Sequence, residues 1–101
     1  MIPCFHQPQP LLEPRDLSAL NRFASIWCCI ENLLIAAAAE GIQGVTRIPF
    51  AEESSHLKSV LEIPADYEVP CYLALGYPQK EAATFAPLAV KLEDRLHWNR
   101  W

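Results

Sequence analysis

The sequence has few basic residues and no concentration of them. Eight of its 101 residues are Lys or Arg, against 12 Asp or Glu, for a formal net charge of −4. The one loose basic cluster is Lys91, Arg95 and Arg100 near the end. Binding a nucleic-acid backbone requires a basic patch that neutralises phosphates, so we expect no nucleic-acid partner.

The cysteines lack the spacing of a metal or redox motif. Cys4, Cys28, Cys29 and Cys71 form no C-x-x-C pair, and three of the four lie in apolar stretches. We interpret them as reduced, core-type thiols of a cytosolic protein. A zinc site on Cys4 and His6 would need two further ligands with no obvious source, so no metal is predicted.

Targeting signals are also missing. The first ten residues, "MIPCFHQPQP", contain no basic segment followed by an apolar core, so they do not resemble a signal peptide. The apolar run at 23–39 is short for a membrane span and carries Glu31 and Asn32 in its middle. We therefore expect a cytoplasmic protein with no membrane partner.

The length and composition suit one folded domain preceded by an arm. Of the residues, 51% are apolar, which is not a disordered composition. Residues 1–15 contain four prolines, which exclude a stable helix or a central strand. We predict an extended arm over 1–15 and a single domain over 16–101.

A long helix is predicted from Leu17 to Glu40. Asp16 is a suitable N-cap, and Gly41 is suited to the left-handed conformation that ends a helix. Apolar residues spaced three and four apart form one stripe, and further apolar residues fill most of the remaining circumference. The stripe comprises Leu20, Phe23, Trp27, Ile30, Leu34, Ala37 and Gly41. A helix that is apolar all round is expected to be buried all round, with Glu31 and Asn32 hydrogen-bonded at a helix seam.

The remaining elements are short. We predict a strand at 45–48, a surface helix at 52–61 with Leu57, Val60 and Leu61 facing inward, and a loop at 62–70. The apolar run "CYLALG" at 71–76 is typical of a buried central strand. The tail "KLEDRLHWNRW" ends in two tryptophans, Trp98 and Trp101, which we expect to dock on a surface.

These elements do not suffice to cover the long helix. Each large apolar side chain left in water forfeits about 1.5–3 kcal/mol. Several such losses would exceed the net stability of a domain of this size, about 5–10 kcal/mol. The sequence therefore predicts that another polypeptide packs against the helix.

Three segments, in order, resemble the C-terminal half of the nitroreductase-like flavin oxidoreductases. They are "ENLLIAAAAEGIQGVTRIPF", "VLEIPADYEVPCYLALGYP" and "LHWNRW". The resemblance covers residues 20–101. It implies an α+β fold in which a long buried central helix packs on a small sheet within an intertwined homodimer. It also implies FMN at the subunit interface, with a hydride passing from NAD(P)H through flavin N5 to a nitroaromatic, quinone or similar small-molecule acceptor.

The resemblance also implies positions for the cofactor contacts and no catalytic side chain. Thr46, Arg47 and Ile48 align with the segment whose backbone N–H groups meet the flavin ring edge, although Pro49 removes one donor there. Lys91 aligns with a basic residue that binds the FMN phosphate. A companion basic position is Ala89 in this chain, and Arg100 is a less certain substitute.

One departure from the family leaves an alternative open. The family's N-terminal half, with the Arg-Arg-Ser-type segment that grips the phosphate, has no counterpart here. Either a complementary chain provides that half, or the chain is a truncated, non-catalytic dimerisation subunit without a complete flavin site. Ala89 and the presence of just three glycines favour the second possibility. A small-ligand binding module of unrelated fold is a third possibility.

Overall fold

A computed structural model describes residues 1–81, 86 and 88–99 of the chain. It confirms the α+β class, with two helices and two small antiparallel sheets of two strands each. In chain order the elements are β1 (Phe5–His6), α1 (Asn21–Ala39), β2 (Gln43–Arg47), α2 (Ala51–Val60), β3 (Tyr67–Glu68) and β4 (Tyr72–Gly76). Short 3₁₀ turns at Leu17–Leu20 and Leu92–Asp94 complete the set.

The predicted C-terminal end of the long helix is confirmed, whereas the predicted first turn, Leu17–Leu20, is 3₁₀ and the α-helix begins at Asn21. The Asp16 carboxylate accepts a hydrogen bond from the Ala19 N–H at 3.0 Å and caps the 3₁₀ turn that leads into α1. At the other end Gly41 adopts a φ of +75°, and its N–H donates to the Ala38 carbonyl. The Ile42 N–H donates to the Ala37 carbonyl at 2.9 Å, which completes a Schellman motif. This turn sends the chain directly into β2.

The predicted apolar stripe is the face that α1 turns toward the rest of the chain. Ile30 is the one fully buried residue of the helix, and it forms a core cluster with Cys71 and Leu73 from the β4 segment. Partly buried side chains of the helix pack around this cluster: Ile26, Trp27, Leu33 and Leu34. The core is therefore a single layer between one face of α1 and one face of the β2–β4 sheet.

Strand β2 pairs with β4 and approaches α1 closely at a glycine. The register places Gly44 opposite Leu75 and Thr46 opposite Leu73. A Cβ atom added at Gly44 would lie 2.7 Å from the Cδ2 atoms of both Leu34 and Leu75. The missing side chain thus lets the sheet pack against the helix at this point.

The proline-rich arm is extended, as predicted, and lies along the domain. Phe5 and His6 pair with Glu68 and Tyr67, so part of the predicted loop at 62–70 is a strand. At the start of the arm, the Met1 amino group donates to the Leu73 carbonyl and the Leu73 N–H donates to the Met1 carbonyl. The arm therefore covers part of the outer edge of β4.

Most of the circumference of α1 is uncovered in the single chain. Ile35 is 60% exposed, and the thiols of Cys28 and Cys29 are exposed as well. The prediction of core-type thiols is therefore wrong for three of the four cysteines, since Cys4 is also exposed and Cys71 alone is buried. Glu31 and Asn32 are exposed and make no side-chain hydrogen bond within the described part of the chain, because this side of the helix faces solvent.

Three further burial predictions, for β4, Val60 and Leu61, are wrong for the single chain. β4 is not a central strand, because it pairs with β2 alone along its length and Ala74, Leu75 and Gly76 are exposed. On α2, Leu57 is half-buried while Val60 and Leu61 are exposed.

The predicted docking of Trp98 is not observed in the single chain. Trp98 is 82% exposed, and the Leu92–Asp94 turn contacts no helix or strand among the described residues. Trp101 lies outside the described residues.

The C-terminal turn of α1 gives a stability prediction. Gly41→Ala should lower the free energy of unfolding by roughly 1–2 kcal/mol, because an L-residue is strained at positive φ although no atom lies near the new Cβ. Gly76→Ala is the matched control, since it also has open space but an ordinary φ. Urea unfolding curves measure both variants, and equal midpoints would contradict the assigned turn.

Candidate functional site

The largest apolar cavity among the described residues lies between the arm, α1 and the β2–α2 junction. Its volume is about 570 Å³, which lies within the usual range for small-molecule sites. We call it the arm–helix cavity. Its lining residues are Pro10, Leu11, Leu12, Phe23, Trp27, Ile48, Pro49, Ala51, Ser54, Glu68, Val69 and Pro70.

The aromatic wall of the arm–helix cavity follows from the helical repeat. Phe23 and Trp27 are one turn apart on α1, so their side chains lie on the same face. Their ring centroids are 6.1 Å apart in an edge-to-face arrangement, and Phe5 of the arm lies 6.1 Å from Phe23. This aromatic chain holds the arm against the helix and fixes one side of the cavity.

Alternation along β2 separates the predicted contact residues. Successive side chains of a strand point to opposite faces, and Thr46 is paired with the buried Leu73. Thr46 therefore lies on the α1 side of the sheet and Arg47 on the other side. Just beyond the strand, Ile48 lines the arm–helix cavity beside Trp27. Of the three predicted residues on this segment, Ile48 alone reaches the cavity.

Arg47, on the opposite face of the β2–β4 sheet, forms an ion pair with Glu53. Its Nη2 atom lies 2.8 Å from Oε1 of Glu53, and the other carboxylate oxygen of Glu53 accepts the Phe50 N–H at 3.1 Å. These two hydrogen bonds hold the pKa of Glu53 below its usual value, and the same partner raises the pKa of Arg47. The Glu53 carboxylate thus occupies the amide end of α2, where an anion would otherwise be favoured.

The lining of the arm–helix cavity carries one charged side chain, and it is acidic. Glu68 contributes to the cavity, and its Oε1 atom lies 3.1 Å from the Nζ atom of Lys58. Lys58 is not itself part of the lining. Since Glu52 and Glu53 also occupy the first turn of α2, the cavity is apolar inside with carboxylates around it.

Of the predicted phosphate ligands, Lys91 is not brought to the arm–helix cavity. Lys91 precedes the Leu92–Asp94 turn, which contacts no helix or strand in the described ranges. It lines a separate, shallow cavity of about 390 Å³ with Ala89, Asp94 and Arg95 among its neighbours. Arg100 lies outside the described residues.

The residues that line the arm–helix cavity therefore suit the ring system of FMN but not its phosphate group. An apolar cavity with aromatic and proline walls fits a planar ring system. A phosphate needs cationic or N–H donors, and the lining of the arm–helix cavity provides no cation. In the part of the chain that the structure describes, the FMN site is incomplete.

The arm was the contribution that the sequence pattern did not reveal. Pro10, Leu11 and Leu12 line the cavity, yet nothing in a proline-rich stretch specifies which surface it covers. Phe23 and Trp27 had a usable signal, because two aromatic residues at i and i+4 on an apolar stripe form a continuous surface.

Comparisons with known proteins do not identify a family. No protein-family model matches the sequence, and no curated protein matches it at a significant level. Within the described residues, the stretch Leu17–Ala39 is long and apolar enough to cross a membrane. A helix packed in a soluble protein satisfies the same length and composition criteria, so this observation is weak evidence for a membrane protein.

The Arg47–Glu53 pair gives a pH prediction. Because the pKa of Glu53 is depressed in the folded chain, its contribution to stability is present above the ordinary glutamate pKa and is lost as pH falls through the depressed value. Arg47→Met should move the Glu53 pKa upward, toward its ordinary value. Carboxyl-resolved NMR titration measures this shift, and an unchanged Glu53 pKa would show that the ion pair does not form in solution.

Proposed function

We propose that the chain is part of a nitroreductase-like, FMN-dependent NAD(P)H oxidoreductase acting on a small-molecule electron acceptor. In this proposal its flavin site is completed by a second polypeptide, either another copy of the chain or a chain carrying the N-terminal half. The protein is cytoplasmic, and α1 lies at the junction between subunits. FMN would supply the redox chemistry when bound, while this chain contributes one wall of the site.

The observation that carries the proposal is the uncovered face of α1 beside the arm–helix cavity. The helix bears the apolar residues of the motif that resembles the flavin enzymes, and it runs through the Gly41 turn into the segment 46–48. The single chain covers one stripe of the helix and leaves apolar residues such as Ile35 in water. A partner packed on that face would remove this surface from water and stand next to the cavity.

The separation between the residues suited to a ring and the predicted phosphate ligand Lys91 supports a site shared by two polypeptides. Ile48 and the Phe23–Trp27 pair provide apolar surface for a ring, whereas Lys91 lies on a segment apart from them. A complete site would then need the phosphate-binding groups from a partner. Arg47 is already paired with Glu53 and is a poor choice for that role.

A non-catalytic subunit is the second candidate function. The described residues that line the arm–helix cavity include no cation, which favours this candidate, as does Ala89 in place of a basic residue. In this alternative the chain keeps the helix seam and the sheet but does not hold a cofactor.

Flavin loading tests the proposal. The purified chain, alone and mixed with a candidate complementary chain, is dialysed against FMN, and the retained flavin is read from its visible absorbance. NAD(P)H oxidation is then followed with a quinone acceptor. We expect flavin retention and acceptor-dependent oxidation in the complete assembly.

A surface variant provides the control. Val60→Ser alters an exposed apolar residue of α2 that does not line the arm–helix cavity, so it should leave flavin retention unchanged. Ile48→Glu places a carboxylate inside the cavity and should lower flavin retention at least tenfold, because an unpaired charge would have to be buried against the ring. An assembly that never retains flavin would support the non-catalytic alternative instead.

A further inference from the structure

We infer that the arm–helix cavity binds an uncharged planar ring system and does not recognise a phosphate group, so that phosphate recognition belongs to a different polypeptide. The inference rests on the proposed flavin function and identifies which part of the cofactor this chain holds. In the flavin series it means that riboflavin binds to the purified chain at least as tightly as FMN.

The shape and lining of the cavity favour a ring. Its volume of about 570 Å³ accommodates a three-ring system, and its lining includes Phe23, Trp27 and the prolines at 10, 49 and 70. Aromatic faces and proline rings stack on planar ligands and exclude water from them. Ser54 brings a hydroxyl group to the lining and can bond one polar group on the ring edge.

The charges around the cavity disfavour an anion. Glu68 is the charged member of the lining, and the cation nearest to it, Lys58, is held at 3.1 Å by that same carboxylate. The backbone N–H groups at the start of α2 would otherwise attract a phosphate. There the Phe50 N–H is taken by Glu53, and Glu52 adds a second negative charge.

Two basic residues that the resemblance assigned to the cofactor, Arg47 and Lys91, are engaged or lie elsewhere. Arg47 is bonded to Glu53 at 2.8 Å and lies on the opposite face of the sheet. Lys91 belongs to the tail segment, whose turn contacts no helix or strand among the described residues. Among the described residues, a phosphate near the cavity would therefore find Lys58 and Arg47 already bonded to Glu68 and Glu53, with no free cation in the lining, which is electrostatically unfavourable.

Equilibrium dialysis of the purified full-length chain against lumiflavin, riboflavin and FMN tests the inference. We expect lumiflavin and riboflavin to bind, with FMN of equal or lower affinity. Lowering the salt concentration should lower the binding affinity for FMN relative to that for riboflavin, because repulsion between the phosphate and the glutamates is then less screened.

A variant with an added cation tests whether charge at the cavity decides between FMN and riboflavin. Ala51→Lys adds a cation to the lining at an exposed position in the first turn of α2, and should raise the affinity for FMN over riboflavin by roughly threefold or more. Ser59→Lys is the matched control, since it makes the same charge change at an exposed position of α2 outside the lining. It should leave the ratio unchanged.

The outcomes separate this inference from the proposed function. FMN binding tenfold tighter than riboflavin would overturn the inference while supporting a flavin enzyme with its phosphate grip in this chain. Failure of all three flavins to bind would overturn the inference for the isolated chain, whereas the oxidoreductase function would still be decided by the assembly with its complementary chain.

Discussion

The imbalance between the apolar surface of α1 and the surface available to cover it governs the rest of the structure. The helix is apolar on nearly every side, and the chain offers one two-stranded sheet and a short arm to pack against it. The core is consequently a single layer around Ile30, Cys71 and Leu73. Apolar side chains on its remaining face, such as Ile35, are exposed and unfavourable in water, and in the proposed assembly a partner covers them.

The shortage of surface to cover α1 also determines where the candidate site lies. Because the sheet covers only one stripe of α1, the arm is left to close the gap between the helix and the β2–α2 junction. Phe5 packs on Phe23, and Pro10 lines the arm–helix cavity together with Trp27. The result is an apolar recess with glutamates near it, which accounts for both the suitability for a ring and the lack of a phosphate site.

The local elements were predictable because short-range rules specify them. Asp16 caps the turn before α1, Gly41 ends the helix at positive φ, and the stripe from Leu20 to Ala37 faces the core. Burial was predicted poorly, because it depends on neighbours that are distant in sequence. β4 has an apolar sequence but obtains one partner strand, and the thiols of Cys28 and Cys29 lie on the side of the helix that nothing in this chain covers.

In the candidate site, too, positions set by local sequence were predictable, whereas positions set by long-range packing were not. Ile48 was assigned through the resemblance, and the structure places it in the cavity. Lys91 was assigned in the same way, but its position relative to β2 depends on how the tail packs. Arg47 was also assigned through the resemblance, but the structure places it in an ion pair with Glu53.

The solution mass of the purified chain tests the central claim most directly. Light scattering over a range of concentrations should report an assembly of at least twice the 11.4 kDa chain mass, or a chain that unfolds without cooperativity until a partner is added. A cooperatively melting species that stays at 11.4 kDa would show that the exposed face of α1 is stable in water and needs no subunit interface.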